Sequence, residues 1–239
     1  DASGASAATA GPAASATDAA SADVTYVEDD VTENTTWTAE EGPYRIAADV
    51  TVEEGATLTV EPGTAVQPAA DIRITVEGTL TAKGTADDPI TIATAPQAPD
   101  DVRWASIRYA GGADSRLSLS HVALENATNG VTVASSAGRV SLSGVTVRNV
   151  AQDGIRIADV DRTPSVTVED STFIDVGGRG VAATPGTGAV GESRVSSNST
   201  ELSNRTEHQL ALRPGLDTTM DALNVSYRGH GDVSHVNRS

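Results

Sequence analysis

The 239-residue chain predicts an all-β solenoid of stacked coils, and three observations lead there. First, one passage repeats: Leu117–Asn126 with Gly130–Val133, then Val140–Asn149 with Gly154–Ile157, then Val166–Asp175 with Gly180–Ala183. A weaker copy ends in Leu202–Asn204 and Leu210–Leu212. The equivalent positions Leu124, Val147, Phe173 and Leu202 stand 23, 26 and 29 residues apart, a period that belongs to stacked coils and not to one globular core. Second, apolar residues alternate with period two in Val- and Thr-rich stretches, while helical periodicity is absent. Third, one Phe, four Tyr and two Trp are too few for a sandwich core organised around a buried indole, whereas thin coils need only Val, Ile and Leu.

The segments follow in order. Residues 1–23 are Ala, Ser, Thr, Gly and Asp with hardly a large apolar side chain, so they read as a flexible leader or linker. The remainder, 24–239, reads as the solenoid, with N-terminal coils over 24–110 and the clear repeats over 111–239. In the N-terminal part the inward side chains are expected from Val50-Thr-Val52, Leu58-Thr-Val60, Ile72-Arg-Ile74-Thr-Val76, Leu80 and Ile90-Thr-Ile92. Gly55, Pro62-Gly63, Gly78, Gly84 and Asp88-Pro89 mark corners. Asn126, Asn149, Asp175 and Asn204 share one repeat position, where stacked side chains would satisfy one another at a turn. No amphipathic helix caps either end.

These residues also carry a resemblance. Asn34-Thr-Thr-Trp37, Gly42-Pro-Tyr44, the run Val50–Thr64, Val76–Ala82 and Asp88–Ile92 resemble the opening coils of secreted right-handed parallel β-helix repeat proteins of the haloarchaeal cell-surface type. Arg103-Trp104-Ala-Ser-Ile107 is similar to the Trp-Gly-Gly-Ile segment common in that family, with Ala105 and Ser106 in place of the glycines. The resemblance covers about residues 30–233 and implies a right-handed parallel β-helix of about seven to nine coils. It says little about activity.

Composition sets the habitat. Asp and Glu number 33 against 16 basic residues, a net charge of −17, and Lys83 is the only lysine. Such an acidic surface repels phosphate backbones, which argues against nucleic-acid binding. Acid excess with almost no lysine resembles proteins of extreme halophiles, in which short carboxylates face molar salt that screens their repulsion. Cysteine is absent, so neither disulfides nor Cys-based zinc sites can form. No apolar run is long enough to span a membrane as a helix. Six of the eight asparagines open an Asn-x-Ser/Thr triplet: Asn34, Asn126, Asn198, Asn204, Asn224 and Asn237. These are candidate N-glycosylation sites of an exported surface. The start at Asp1 without Met fits a mature product or a trimmed chain.

Catalytic signals are thin. Polygalacturonases use Asn-Thr-Asp, an Asp pair, Gly-His-Gly and Arg-Ile-Lys, with carboxylates as acid and base. Only Gly229-His-Gly231 matches; Gln152-Asp153-Gly154 replaces the Asp pair, and Arg156-Ile157 precedes Ala158. A lyase-like site would draw on Arg148, Arg156 and Arg179 with Asp153, Asp159, Asp161 and Asp175, which fall on neighbouring coils. In so acidic a chain, carboxylates cluster without any chemistry to select them. The acid pairs Asp29-Asp30, Glu40-Glu41, Glu53-Glu54, Asp87-Asp88 and Asp100-Asp101 read as solvated corners, with weak cation binding, calcium included, as the most they offer. His121, His208, His230 and His235 lack ligand spacing.

The sequence therefore predicts no catalytic, cofactor or metal residue. It predicts an extracellular, glycosylated, non-catalytic structural or adhesive rod whose partners are copies of itself, other envelope components or polysaccharide. The alternative class is an enzyme or a binding module acting on acidic glycans.

Overall fold

A computed structural model describes residues 24–135, 137–160, 165–185, 194–198, 200–203, 210–212 and 225–227. All their regular elements are β-strands, 23 of them, every pairing is parallel, and they form three sheets. The chain visits the sheets in turn. Sheet A has nine strands, from Thr25–Val27 to Val225–Tyr227; sheet B has seven, from Val50–Val52 to Leu210–Leu212. Sheet C has seven, from Thr35–Trp37 to Arg194–Asn198. This is a parallel β-helix, wound in the right-handed sense that parallel crossovers take. Its seven-stranded sheets contain six full turns between first and last strand, and the nine-stranded sheet eight, beside the expected seven to nine coils.

The register is the one the repeats encode. Leu124 pairs with Val147, Val147 with Phe173, and Phe173 with Leu202, so the 23-, 26- and 29-residue steps are each one coil. Because strand side chains alternate between faces, one set of every strand points inward and forms ladders along the axis. Leu80, Leu117, Val140 and Val166 make one such ladder, all buried. The expected inward residues Val50, Val52, Leu58, Val60, Ile74, Val76, Leu80, Ile90 and Ile92 are buried as well. Ile72 differs: it precedes its strand and is only partly buried against the core. Each fully buried Val, Leu or Ile contributes roughly 1.5–3 kcal/mol, so the hydrophobic cost of opening a coil accumulates ladder by ladder.

Two corners explain why the coils can be so thin. Between sheets C and A, in three successive coils, one or two residues turn the chain, His121 alone, then Gly144-Val145, then Asp170-Ser171, and each turn opens on a left-handed residue: His121 (φ 48°), Gly144 (φ 63°) and Asp170 (φ 47°). At the end of the sheet A strands, Asn126 (φ 58°), Asn149 (φ 53°) and Asp175 (φ 52°) take the same left-handed conformation. Asn and Asp tolerate it because their short polar side chains bond locally. This is the repeat position that the sequence singles out.

Aromatic side chains reinforce two places. Trp104 is fully buried, and its Nε1 donates to the Glu125 carbonyl at 2.8 Å. Trp37 and Tyr44 stack with ring centroids 4.8 Å apart near the N-terminal end of the described coils. Both tryptophans thus serve the core after all, each filling one coil and neither organising the whole.

Candidate functional site

The outward side chains form ladders as regular as the inward ones. On sheet C, the central outward position reads Thr36, Thr59, Thr81, Ser118, Ser141 and Thr167 in consecutive register, a hydroxyl on each of these six rungs. Beside it, Thr57, Thr79, Arg116 and Arg139 form a parallel column, and Lys83, Ser120, Ser143 and Glu169 another. On sheet B the outward column reads Thr51, Thr75, Arg108, Thr132 and Arg156. Neighbouring rungs are about 4.8 Å apart, which sets Arg108 and Arg156 roughly 10 Å from each other.

Charge is sorted between faces and corners. Between residues 24 and 160 there are nine basic residues, and all but Arg103 lie in strands. The same span holds twenty acids, of which only Glu125 and Asp159 lie in strands. Within that span carboxylates line the corners, where the backbone turns into water, while guanidinium and hydroxyl groups occupy the flat faces; beyond it Glu169 and Asp175 lie in strands and Arg179 at a corner. Among the described residues the one ion pair is Arg148 with Glu125, one coil apart on sheet A.

The corner after sheet A is the most heavily bonded place. Asn126 Nδ2 donates to Thr94 Oγ1 at 3.1 Å, and Asn149 Nδ2 donates to Asn126 Oδ1 at 2.7 Å. Arg103 completes the relay from two coils away, donating through Nη2 to Asn149 Oδ1 at 3.0 Å and through Nη1 to the Asn149 carbonyl. Nearby, Asn129 Nδ2 donates to Gln152 Oε1 at 3.2 Å, Asn129 Oδ1 accepts from the Asp153 amide, and Asp153 Oδ1 accepts from the Arg179 amide at 2.9 Å.

The lyase candidates do not share one face. Arg156 stands on sheet B, while Arg148 stands on sheet A and is held by Glu125. Arg179 and Asp153 meet at the corner between those sheets, joined through backbone. Asp175 sits at its own left-handed corner position, and Asp159 lies in the strand Ile155–Val160. Neighbouring coils in sequence are thus different faces in space. Among the described residues, no three metal-ligating side chains come together. His121 forms a one-residue corner with its Nδ1 3.1 Å from Ser120 Oγ.

The sequons also separate. Asn34 is exposed, and its Oδ1 accepts from the Thr57 amide at 3.0 Å. Asn126 has its amide nitrogen engaged in the relay, and Asn198 lies in the strand Arg194–Asn198. Asn204, Asn224, Asn237, Asp161, His208, His230, His235 and the leader 1–23 lie outside the described residues.

Residues 29–140 match the family model described as a pectate-lyase like beta helix domain. No curated protein and no solved structure matches the chain. Fold and family model together support a parallel β-helix repeat protein.

Proposed function

We propose that this β-helix is a non-catalytic structural or adhesive rod on the exterior of an extreme halophile, assembling with copies of itself or with other envelope components. The observation that carries this reading is the sorting of charge. Carboxylates at the corners and hydroxyl–guanidinium ladders on the faces repeat at one spacing along the rod, an arrangement suited to contact with another extended, repetitive object. The composition supports the habitat: a net charge of −17 with one lysine suits molar salt. The sequons, six in the chain, support a glycosylated exterior.

A second reading is an enzyme or binding module acting on acidic polysaccharide. Two observations favour it: the description of the matching family model, and the Arg108–Thr132–Arg156 column, whose guanidiniums suit carboxylates on an extended sugar chain.

Electron microscopy of the protein in molar salt, beside its light-scattering mass, tests the first reading. Ordered arrays or multimers of rods are the expected result. Isolated rods of one-chain mass that also turn over an acidic polysaccharide would replace it with the second.

A further inference from the structure

We infer that two adjacent strands of sheet C, Arg116–Ser120 and Arg139–Ser143, form a binding site for a tetrahedral oxyanion ester, sulfate or phosphate, carried on a glycan. The inference rests on the adhesive reading above and names the chemistry of the partner.

Both strands carry one pattern, Arg-x-Ser-x-Ser, and they pair in parallel so that Arg116 meets Arg139, Ser118 meets Ser141 and Ser120 meets Ser143. The residues between these are buried in the core, so the six polar side chains share the outer face. Neighbouring rungs are about 4.8 Å apart, and alternate residues about 7 Å apart along a strand. The result is a small flat patch with two guanidiniums at one edge and hydroxyls across the rest.

The arginine pair is the exception in this rod. Of the other basic residues in strands between 24 and 160, Arg45, Arg73, Lys83, Arg108, Arg148 and Arg156 meet only neutral or acidic partners in register. Arg116 and Arg139 meet each other, and like charges one rung apart repel. Both are exposed, and neither joins an ion pair among the described residues, although Asp114 stands two positions before Arg116. An anion held between them removes the repulsion.

The two guanidiniums select the kind of anion. Each presents a planar fork that bonds two oxygens at once. One fork already spans both oxygens of a carboxylate. A sulfate or phosphate monoester offers three oxygens, so two forks on neighbouring rungs can share it. A phosphodiester has fewer free oxygens than a monoester, which sets nucleic acid aside.

The hydroxyls place the rest of the ligand. Ser118 and Ser141 lie about 7 Å along the strands from the arginines, where they donate to or accept from sugar hydroxyls. The patch offers no large apolar anchor for a protein partner, since Tyr26, the exposed large hydrophobic among the described residues, lies on sheet A.

Isothermal titration calorimetry in about 1 M KCl tests the site, because long-range attraction is screened there to about 3 Å. The probes are dextran sulfate and dextran phosphate, with polygalacturonate and plain dextran beside them. Wild type is expected to bind at least one ester about tenfold or more tighter than polygalacturonate, and the tighter ester identifies the anion. Arg116→Gln with Arg139→Gln should weaken that binding by about tenfold or more. Arg116→Lys with Arg139→Lys keeps the charge but loses the forks, and should weaken it by about fivefold or more. Arg108→Gln with Arg156→Gln, on sheet B, should leave it unchanged. The inference is overturned by a wild type that binds neither ester, by equal binding of polygalacturonate, or by ester binding that either Arg116/Arg139 pair of substitutions leaves intact. Free sulfate or phosphate that displaces the polymer at equal anion concentration assigns the patch to small ions and overturns the glycan. None of these outcomes alters the multimers read by electron microscopy, so the structural reading stands or falls on its own measurement.

Discussion

The side-chain amide of Asn149 donates to the side-chain oxygen of Asn126, one coil away, at 2.7 Å. Both residues hold a left-handed backbone, so the bond ties together the two places where a coil is least comfortable. Thr94 continues the relay on one side and Arg103 on the other, and the buried Trp104 follows directly in the chain.

Replacing Asn149 with Ala removes this bond and leaves Arg103 without its side-chain acceptor. It also places a Cβ-bearing residue without a local polar partner at φ 53°. The expected loss is about 2 kcal/mol or more, from the orphaned polar groups and the left-handed backbone together. Asn149→Gly relieves the backbone and loses only the bonds, so urea unfolding should rank wild type above Gly and Gly above Ala.

Close approach between coils makes a second prediction. A Cβ on Gly154 would lie 2.6 Å from the Gly180 carbonyl oxygen and 2.6 Å from Phe173 Cδ1, whereas one on Gly112 meets nothing within 4 Å. Gly154→Ala should lower stability by about 1–3 kcal/mol or more through forced displacement of the next coil. Gly112→Ala should stay within about 0.5 kcal/mol of wild type in the same unfolding experiment.

The sequons offer a third. Glycan attachment needs an accessible asparagine amide nitrogen, and Asn34 is exposed while the nitrogen of Asn126 donates to Thr94. Glycopeptide mass spectrometry of protein from its own cells should find Asn34 occupied and Asn126 bare. Full occupancy at Asn126 would contradict the relay as the resting state of that amide.

Tyr44 gives a pH dependence. Its hydroxyl accepts from the Thr38 amide at 2.9 Å and donates to Glu41 Oε2 at 3.0 Å, and burial raises its pKa above the ordinary phenol value. The folded state then keeps the proton that the unfolded state releases above about pH 10. Stability from this group is complete below that pH and falls as pH rises through the folded value. Tyr44→Phe should flatten the alkaline decline, measured as the unfolding midpoint against pH.

Stacked corner acids imply a salt requirement. Glu53 and Glu77 lead into adjacent strands of sheet C, so like charges recur coil after coil. Raising KCl from about 0.1 M to about 3 M should raise the thermal midpoint by roughly 5–10 °C, because screening shortens below the distance between rungs. A midpoint that is flat or falling with salt would argue against the halophilic reading.

Much of the fold was legible because the coil repeat is written in the sequence. Leu124, Val147 and Phe173 align there as they pair in the sheet, and the shared position of Asn126 and Asn149 announced their contact. The faces were harder to read. Arg148 and Arg156 stand eight residues apart in sequence but on different sheets, since a corner between them turns the chain. Nor does a Ser or Thr in a strand declare itself part of a ladder; only the register across corners of unequal length puts Thr81, Ser118 and Ser141 in line. The sorting of acids to corners and cations to strands over residues 24–160 is present in the sequence as charge against strand position once the repeats are aligned.

The most direct test of the non-catalytic account is turnover. The protein should be incubated in molar salt with a panel of uronate-containing polysaccharides and calcium, following unsaturated products and new reducing ends. The account predicts no product above a protein-free control. Product that appears with wild type and disappears with Arg156→Ala would contradict it and assign catalysis to sheet B.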